Sequence, residues 1–403
     1  MAKPWPRLLS IIITLVITSI FGLGVSFVSQ PGRNRFIGLG ALILGLCLLV
    51  YVIYGNRRQA KLDDEFSVHH VPGMPARFSY DDLKTATNNF NHKLGQGGFG
   101  SVFKGALGDG TEIAVKRLTG VSQITKSFLA EVQTIGSIHH INLVRLIGFC
   151  AENSSRLLVY EYMPNGSLDR WIFKGHQEPT LGWKSKRKII MDIAKGLAYL
   201  HEDCRQKIFH LDVKPQNILL DENFKAKVSD FGLARLIDKD QSQVVATLGG
   251  TPGYMAPEWL SSIITAKVDV YSFGVVVLEI LCERKNVDRA QPEEWMHLVG
   301  LFTRKVEEGQ LLDMIEKFNA DDMQLHGAEV VEMMKLAVWC LQSDYQRRPS
   351  MVVVVQVLEG LIGVEGNLES NFANAPAMRT KAAIGEDMGD GTPLSAMELS
   401  GPR

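Results

Sequence analysis

The chain has 403 residues, a formal charge of −1 and 46% hydrophobic residues. That length has room for two or three domains, and the balanced charge leaves no electrostatic footprint for nucleic acid. Its five cysteines, Cys47, Cys150, Cys204, Cys282 and Cys340, have neither paired nor metal-like spacing, so they read as reduced thiols and not as a disulfide scaffold.

Residues 1–29 contain an uncharged apolar run, Leu8 to Ser29, and residues 36–54 form a second, Phe36 to Tyr54. At about 1.5 Å rise per residue, each can cross a hydrocarbon core of about 30 Å as a helix. The second run reads as a transmembrane helix, and Arg57, Arg58 and Lys61 behind it favour the cytoplasmic side. The first is a transmembrane helix or a secretory signal peptide. Lys3 and Arg7 before it and Ser26 and Ser29 at its end suit a signal, whereas its length favours the helix. Both readings leave everything after Tyr54 in the cytosol. Residues 55–77 form a polar, mixed-charge juxtamembrane linker. In 78–89, Ser79 followed by Asp81 and Asp82 has the pattern of an N-cap with an acidic first turn, opening a short helix through Thr87. Residues 90–364 carry the apolar periodicity of a folded domain, and the polar 365–403 tail is expected to be disordered.

Within 90–364, alternating apolar residues and the Gly108-Asp-Gly110 turn predict early β-hairpins. The run Leu94-Gly95-Gln96-Gly97-Gly98-Phe99-Gly100-Ser101-Val102 contains G-x-G-x-x-G-x-V. A dinucleotide-binding loop of this type would open a helix. Here the run leads into Val102-Phe-Lys-Gly105 and a turn, so it joins two strands whose glycines let the backbone close over phosphates. Lys116 ends an alternating strand, and Glu131 lies in a helical Phe-Leu-Ala-Glu-Val. Longer periodic stretches follow at Lys184–Glu202, Lys267–Cys282 and Val330–Gln342. Strands first and helices afterwards imply two lobes around a cleft.

Downstream lie His210-Leu-Asp212-Val-Lys214-Pro-Gln-Asn217, Asp230-Phe-Gly, Gly-Thr251-Pro-Gly-Tyr and Ala256-Pro-Glu258. In this order and spacing, with the glycine run and Lys116, the chain resembles the eukaryotic protein kinases over roughly Phe90 to Val364. The resemblance implies an α+β, two-lobed protein kinase fold, with a β-rich N-lobe and a helical C-lobe, preceded by one or two transmembrane helices. It also implies ATP and Mg²⁺. Leu94 to Val102 would cover the phosphates, and Lys116, held by Glu131, would bind them. Val102, Ala114 and Leu219 would sandwich the adenine; Tyr160 would stand behind it and Glu161-Tyr-Met163 would form the hinge. Asp212 would orient the substrate hydroxyl, and Asn217 and Asp230 would hold the metal. Lys214, with Thr251 against it and Asp212, points to Ser/Thr acceptors. Glu258 would pair with Arg348, and Asp269 would anchor the catalytic loop.

One departure concerns regulation. Where His-Arg-Asp is usual, the chain has His210-Leu211-Asp212. The arginine normally receives an activation-segment phosphate, so Thr247 and Thr251 lack the usual ion-pair partner. Phe78-Ser-Tyr-Asp-Asp-Leu, Asp-Val-Tyr-Ser-Phe-Gly-Val-Val-Val-Leu-Glu and Met-Met-Lys-Leu-Ala-Val-Trp-Cys-Leu-Gln are similar to plant receptor-like kinases of the S-domain (G-type lectin) class. The sequence leaves neither length nor extracellular cysteines for a lectin ectodomain. The expected partners are therefore Ser/Thr-bearing protein substrates, the membrane (the plasma membrane for this class) and a co-receptor supplying an ectodomain. The alternative is a catalytically weak pseudokinase scaffold.

Overall fold

The computed structural model describes residues 75–364 except 99, 120–123, 153, 174–180, 239–240, 242, 246–248, 262 and 315–319. Both apolar runs, residues 55–74 of the linker and the 365–403 tail lie outside the described residues, as do Phe99 and Thr247. Among the described residues, no helix is long and apolar enough to cross a membrane.

In chain order the first lobe comprises β1 (Ala76–Arg77), α1 (Tyr80–Ala86), β2 (Lys93–Gly97), β3 (Gly100–Ala106), β4 (Glu112–Leu118), α2 (Ile124–Ile135), β5 (Leu146–Glu152) and β6 (Ser155–Glu161). Its strands form one six-stranded sheet in the order β1-β5-β6-β4-β3-β2. Only the β1–β5 pairing is parallel. The β3–β4 connection is tight because Gly110 adopts φ 84°, a conformation that favours glycine.

Side-chain alternation gives this sheet two different faces. On β4, Ile113 and Val115 join Leu83 of α1, Cys150, Leu157 and Val159 in a fully buried cluster. Ala114 and Lys116 therefore take the opposite face, with their register partners Tyr160 and Leu158 on β6 and Val102, opposite Lys116, on β3. Helix α1 begins with a capping box: Ser79 Oγ accepts from Asp82 N at 3.1 Å and Asp82 Oδ2 from Ser79 N at 3.3 Å. The linker expectation is corrected at its end. Residues 76–77 belong to the sheet, with Ala76 against Gly148 and Arg77 against Phe149. A two-residue strand carries no alternation from which sequence could recognise it.

The second lobe comprises α3 (Asp169–Ile172), α4 (Trp183–Ala198), a π-helical turn (Tyr199–Asp203), β7 (Lys207–Phe209), β8 (Ile218–Leu220), β9 (Ala226–Val228), β10 (Arg235–Ile237), β11 (Val244–Val245), β12 (Ile263–Ile264), α5 (Lys267–Cys282), α6 (Leu298–Glu307), α7 (Ala320–Cys340) and α8 (Met351–Leu358). Every residue of α5 except Lys267 and Tyr271 is buried, as expected of a helix apolar on all sides. It is the axis of this lobe. Helix α7 starts at Ala320, ahead of the expected Val330, because its polar opening, Asp321-Asp322, carries no apolar stripe. The four described cysteines are buried, and none forms a disulfide.

A buried ion pair ties Glu258, between β11 and β12, to Arg348, just ahead of α8. Arg348 donates to Glu258 through Nη1 at 2.6 Å and Nη2 at 2.8 Å, and through Nε to Gln342 O at 2.7 Å. The Arg348 side chain is 0% exposed. Removing it strands the Glu258 carboxylate, so Arg348→Met should cost about 3–5 kcal/mol in urea unfolding. Replacing both partners, Glu258→Leu with Arg348→Met, should cost less than the single change. A single-variant loss below about 1 kcal/mol would show that the pair is dispensable.

Candidate active site

Between the lobes, the inner face of the sheet meets the segments around β8 and β9. Lys116 Nζ lies 2.6 Å from Glu131 Oε1 on α2 and 2.8 Å from Asp230 Oδ1. Glu131 also accepts the hydroxyl of Tyr160. Burial opposes the Lys116 charge, but Asp230 and Glu131 outweigh it and hold the ammonium above its usual range. Burial pushes the Glu131 carboxyl up to about 7 despite Lys116. At Asp230 burial again opposes the charge, yet Lys116 prevails and holds the carboxyl down at about 2. The two carboxylates differ because Lys214 and His210 also lower Asp230, whereas Asp230 itself raises Glu131. At Gly232, a Cβ would lie 2.6 Å from Ser127 Oγ and 3.1 Å from Glu131 Oε1, so a side chain there would push into the ion pair.

Asp269, at the start of α5, fixes the loop between β7 and β8. Its oxygens accept from His210 N, Leu211 N and the His201 ring, each at 2.8 Å. Burial opposes the Asp269 charge, but these donors and the two imidazoles together hold its pKa below the usual carboxylate range. This clamp over-determines the loop, in which Leu211 adopts φ 66°, an uncommon conformation for a branched residue. His210 Nδ1 accepts from Asp212 N at 3.2 Å, which assigns the ring proton to Nε2, 3.0 Å from Ser229 O. Asp212 is thus presented with both oxygens engaged. Oδ2 accepts from Lys214 Nζ and Asn217 Nδ2, both at 2.9 Å, and Oδ1 from Thr251 Oγ1 at 2.6 Å. Lys214 Nζ also donates to Thr251 Oγ1 at 2.7 Å.

The β8–β9 hairpin brings Asn217 and Asp230 together. Ile218 pairs with Val228, and both Ser229 N and Ser229 Oγ donate to Asn217 O, at 2.8 and 2.9 Å. An amide oxygen and a carboxylate at one cleft suit Mg²⁺, which takes few protein ligands and shares the rest with water and phosphate. Among the described residues, no group of three or more His, Cys, Asp or Glu forms a dedicated metal cage.

A cavity lies between the lobes, lined by Leu94, Gly95, Val102, Ala114, Lys116, Tyr160, Glu161, Met163, Asn217, Leu219 and Asp230, all singled out from sequence. Gln96, Gly97, Gly98, Gly100 and Ser101 occupy the hairpin above it without lining it. Gly100, at φ 141°, is irreplaceable there: a Cβ would fall 2.1 Å from Arg117 O. Glu161 turns its carboxylate to Lys227 Nζ, at 2.7 and 2.8 Å, so its side chain is already engaged. Val144, Pro164, Gly166, Ser167, Arg170, Gln216 and Ser229 also line the wall and were not singled out from sequence. Tyr162, the middle residue of the expected Glu161-Tyr-Met163 hinge, lines the wall as well. Arg170, which reaches Leu94 O at 3.3 Å, had no signal because its partner lies across the cleft. The Tyr160 hydroxyl bond to Glu131 was equally hidden.

A protein kinase domain matches residues 89–358, more than half of the chain. G-type lectin S-receptor-like serine/threonine-protein kinase SD2-5 of Arabidopsis thaliana is 46% identical over 382 residues, 89% of this chain and 46% of that protein. The relative LECRK4, a G-type lectin S-receptor-like serine/threonine-protein kinase of Oryza sativa, is 46% identical over 82% of this chain and 41% of its own length. A probable receptor-like protein kinase of Arabidopsis thaliana is 41% identical over 79% of this chain and 73% of its own. The chain therefore belongs to the protein kinase family, and its relatives are named serine/threonine-protein kinases. It spans about half the length of the G-type lectin relatives it matches.

Leu211 stands where an arginine is usual, and its surroundings are apolar. It is buried against Phe209, Ile237, Ala256, Trp259, Ile264 and Val268, residues before, within and after the activation segment. Apolar packing, with no cation among the described residues of that cluster, surrounds Leu211. Phosphatase treatment should therefore leave kcat within a few fold, whereas Thr251→Ala, losing contacts to both Asp212 and Lys214, should cost far more. Leu211→Arg buries an unpaired charge in this cluster and should lower activity and thermal midpoint together. Collapse of activity on phosphatase treatment of the wild type would contradict this.

Proposed function

We propose that the chain is a membrane-anchored protein kinase that transfers the γ-phosphoryl group of ATP to Ser and Thr hydroxyls of proteins, in receptor-type signalling alongside a co-receptor. The observation that carries this reading is a pair of charge networks joined to one cavity: Lys116 and Asp230 line it, with Glu131 behind the lysine, and Asp212, held by Lys214 and Thr251, is bonded to Asn217, which lines it too. In the pseudokinase alternative these groups would have no reason to stay in register.

Phosphoryl transfer depends on positioning and charge stabilisation, because the transition state asks little covalent chemistry of the protein. The adenine would lie between Val102 and Ala114 on one side and Leu219 on the other, against the hinge at Glu161–Met163 with Tyr160 behind. The β2–β3 hairpin covers the phosphates, and Lys116, kept cationic by its two carboxylates, holds the α and β groups. Asp212 orients the incoming hydroxyl and takes its proton as the oxygen bonds to phosphorus and the bond to ADP breaks. Lys214 stabilises charge on the transferring group, and its bridge to Thr251 is the Ser/Thr feature. Asn217 and Asp230 would hold Mg²⁺, which would supply positive charge against the phosphates.

Membrane attachment rests on the apolar runs and on Arg57, Arg58 and Lys61 behind them. The names of the relatives, which include receptor-like, agree with it.

With Mg²⁺ and ATP the purified chain should phosphorylate itself on Ser or Thr, and Asp212→Asn should lower kcat by about a hundredfold or more. Wild-type turnover in that variant would remove Asp212 from the chemistry, and dominant phosphotyrosine would overturn the specificity. In sealed vesicles with the cytoplasmic face outward, added protease should digest the region after Tyr54. Protection of that region until detergent is added would reverse the topology.

A further inference from the structure

Residues 75–90 precede or barely overlap the family match at 89–358, yet they pack against the sheet and against the helix that carries Glu131. Phe78 N donates to Phe149 O at 2.9 Å, extending the β1–β5 pairing, and Tyr80 N donates to Glu152 Oε2 at 3.0 Å. The Phe78 ring fills the space above Gly148, where a Cβ would lie 2.5 Å from its Cε2 and 2.3 Å from Ala76 O. Leu83 is 0% exposed. Phe90 closes the segment over Phe103, edge to face at 5.4 Å.

Two contacts carry this segment towards α2. Pro75 sits against Gly136, just past the C-terminal end of α2, where a Cβ would meet its Cγ at 2.9 Å. Phe149, which bonds Phe78 through its backbone, packs its ring edge to face on Phe128 of α2 at 5.9 Å. Phe128 is fully buried, one turn before Glu131. The segment thus abuts α2 at its end and, through Phe149, near its middle.

We infer that residues 75–90 are a positioning strap: Pro75 and Phe78 set where α2 sits and thereby hold Glu131 against Lys116. The inference rests on the reading of Lys116 and Glu131 as the phosphate clamp. It makes the stretch nearest the apolar N-terminal runs part of the catalytic apparatus, so that anything displacing the strap lowers activity without touching the cleft.

Hydrogen exchange and steady-state kinetics on the full chain test it, with Pro75→Gly and Phe78→Ala. Both variants should speed amide exchange in 124–135 and lower kcat/KM by about ten- to a hundredfold, since small misplacements at a site are costly. Exchange in 267–282 and 351–358 should not change. If Phe78→Ala unfolds the domain, Pro75→Gly, which removes the ring against Gly136 and frees the backbone at that one position, still gives the readout. Faster exchange in 75–90 with unchanged exchange in 124–135 would overturn the strap. Faster exchange in 124–135 with unchanged kinetics would support the strap and remove the phosphate-clamp reading of Glu131 instead.

Discussion

The ammonium of Lys116 is the point on which the cleft depends. A buried cation is tolerated only where carboxylates meet it, and here they arrive from Glu131 on α2 and from Asp230 after β9. Three separate segments must therefore be in register before the charge is stable. If α2 or the segment carrying Asp230 moves away, the ammonium keeps only one of these two carboxylates. The Tyr160 hydroxyl adds a tie from β6 to Glu131, so the wall behind the cavity also senses where α2 lies.

Below the cavity the same economy recurs with Asp269. One carboxylate collects His201 and the main chain of His210 and Leu211, and so sets the loop that presents Asp212. The left-handed backbone at Leu211 turns its side chain into the apolar cluster that contains Ile237, Ala256 and Trp259. The loop that carries Asp212 and the residues Ile237, Ala256 and Trp259 are therefore joined by burial.

Much of the cleft was legible because its parts lie in short contiguous motifs. The glycine run, Asp212 to Asn217 and Asp230-Phe-Gly each announce themselves by spacing, and strand alternation alone places Lys116 opposite Ile113 and Val115. What escaped was of another kind. Arg170 reaches Leu94, Tyr160 bonds Glu131, and β1 pairs with β5 across long stretches of chain, so no local pattern records them. The early turns of α7 were hidden for a simpler reason, since their polar residues carry no period.

The account stands or falls on whether Lys116 and Glu131 act as one unit. A double-mutant cycle on kcat/KM, with Lys116→Met, Glu131→Gln and the pair together, measures this directly. The account predicts strong coupling, with the double variant no worse than Lys116→Met alone, because Glu131 acts only through the lysine. Additive losses, with each change costing as much in the presence of the other as in its absence, would contradict it.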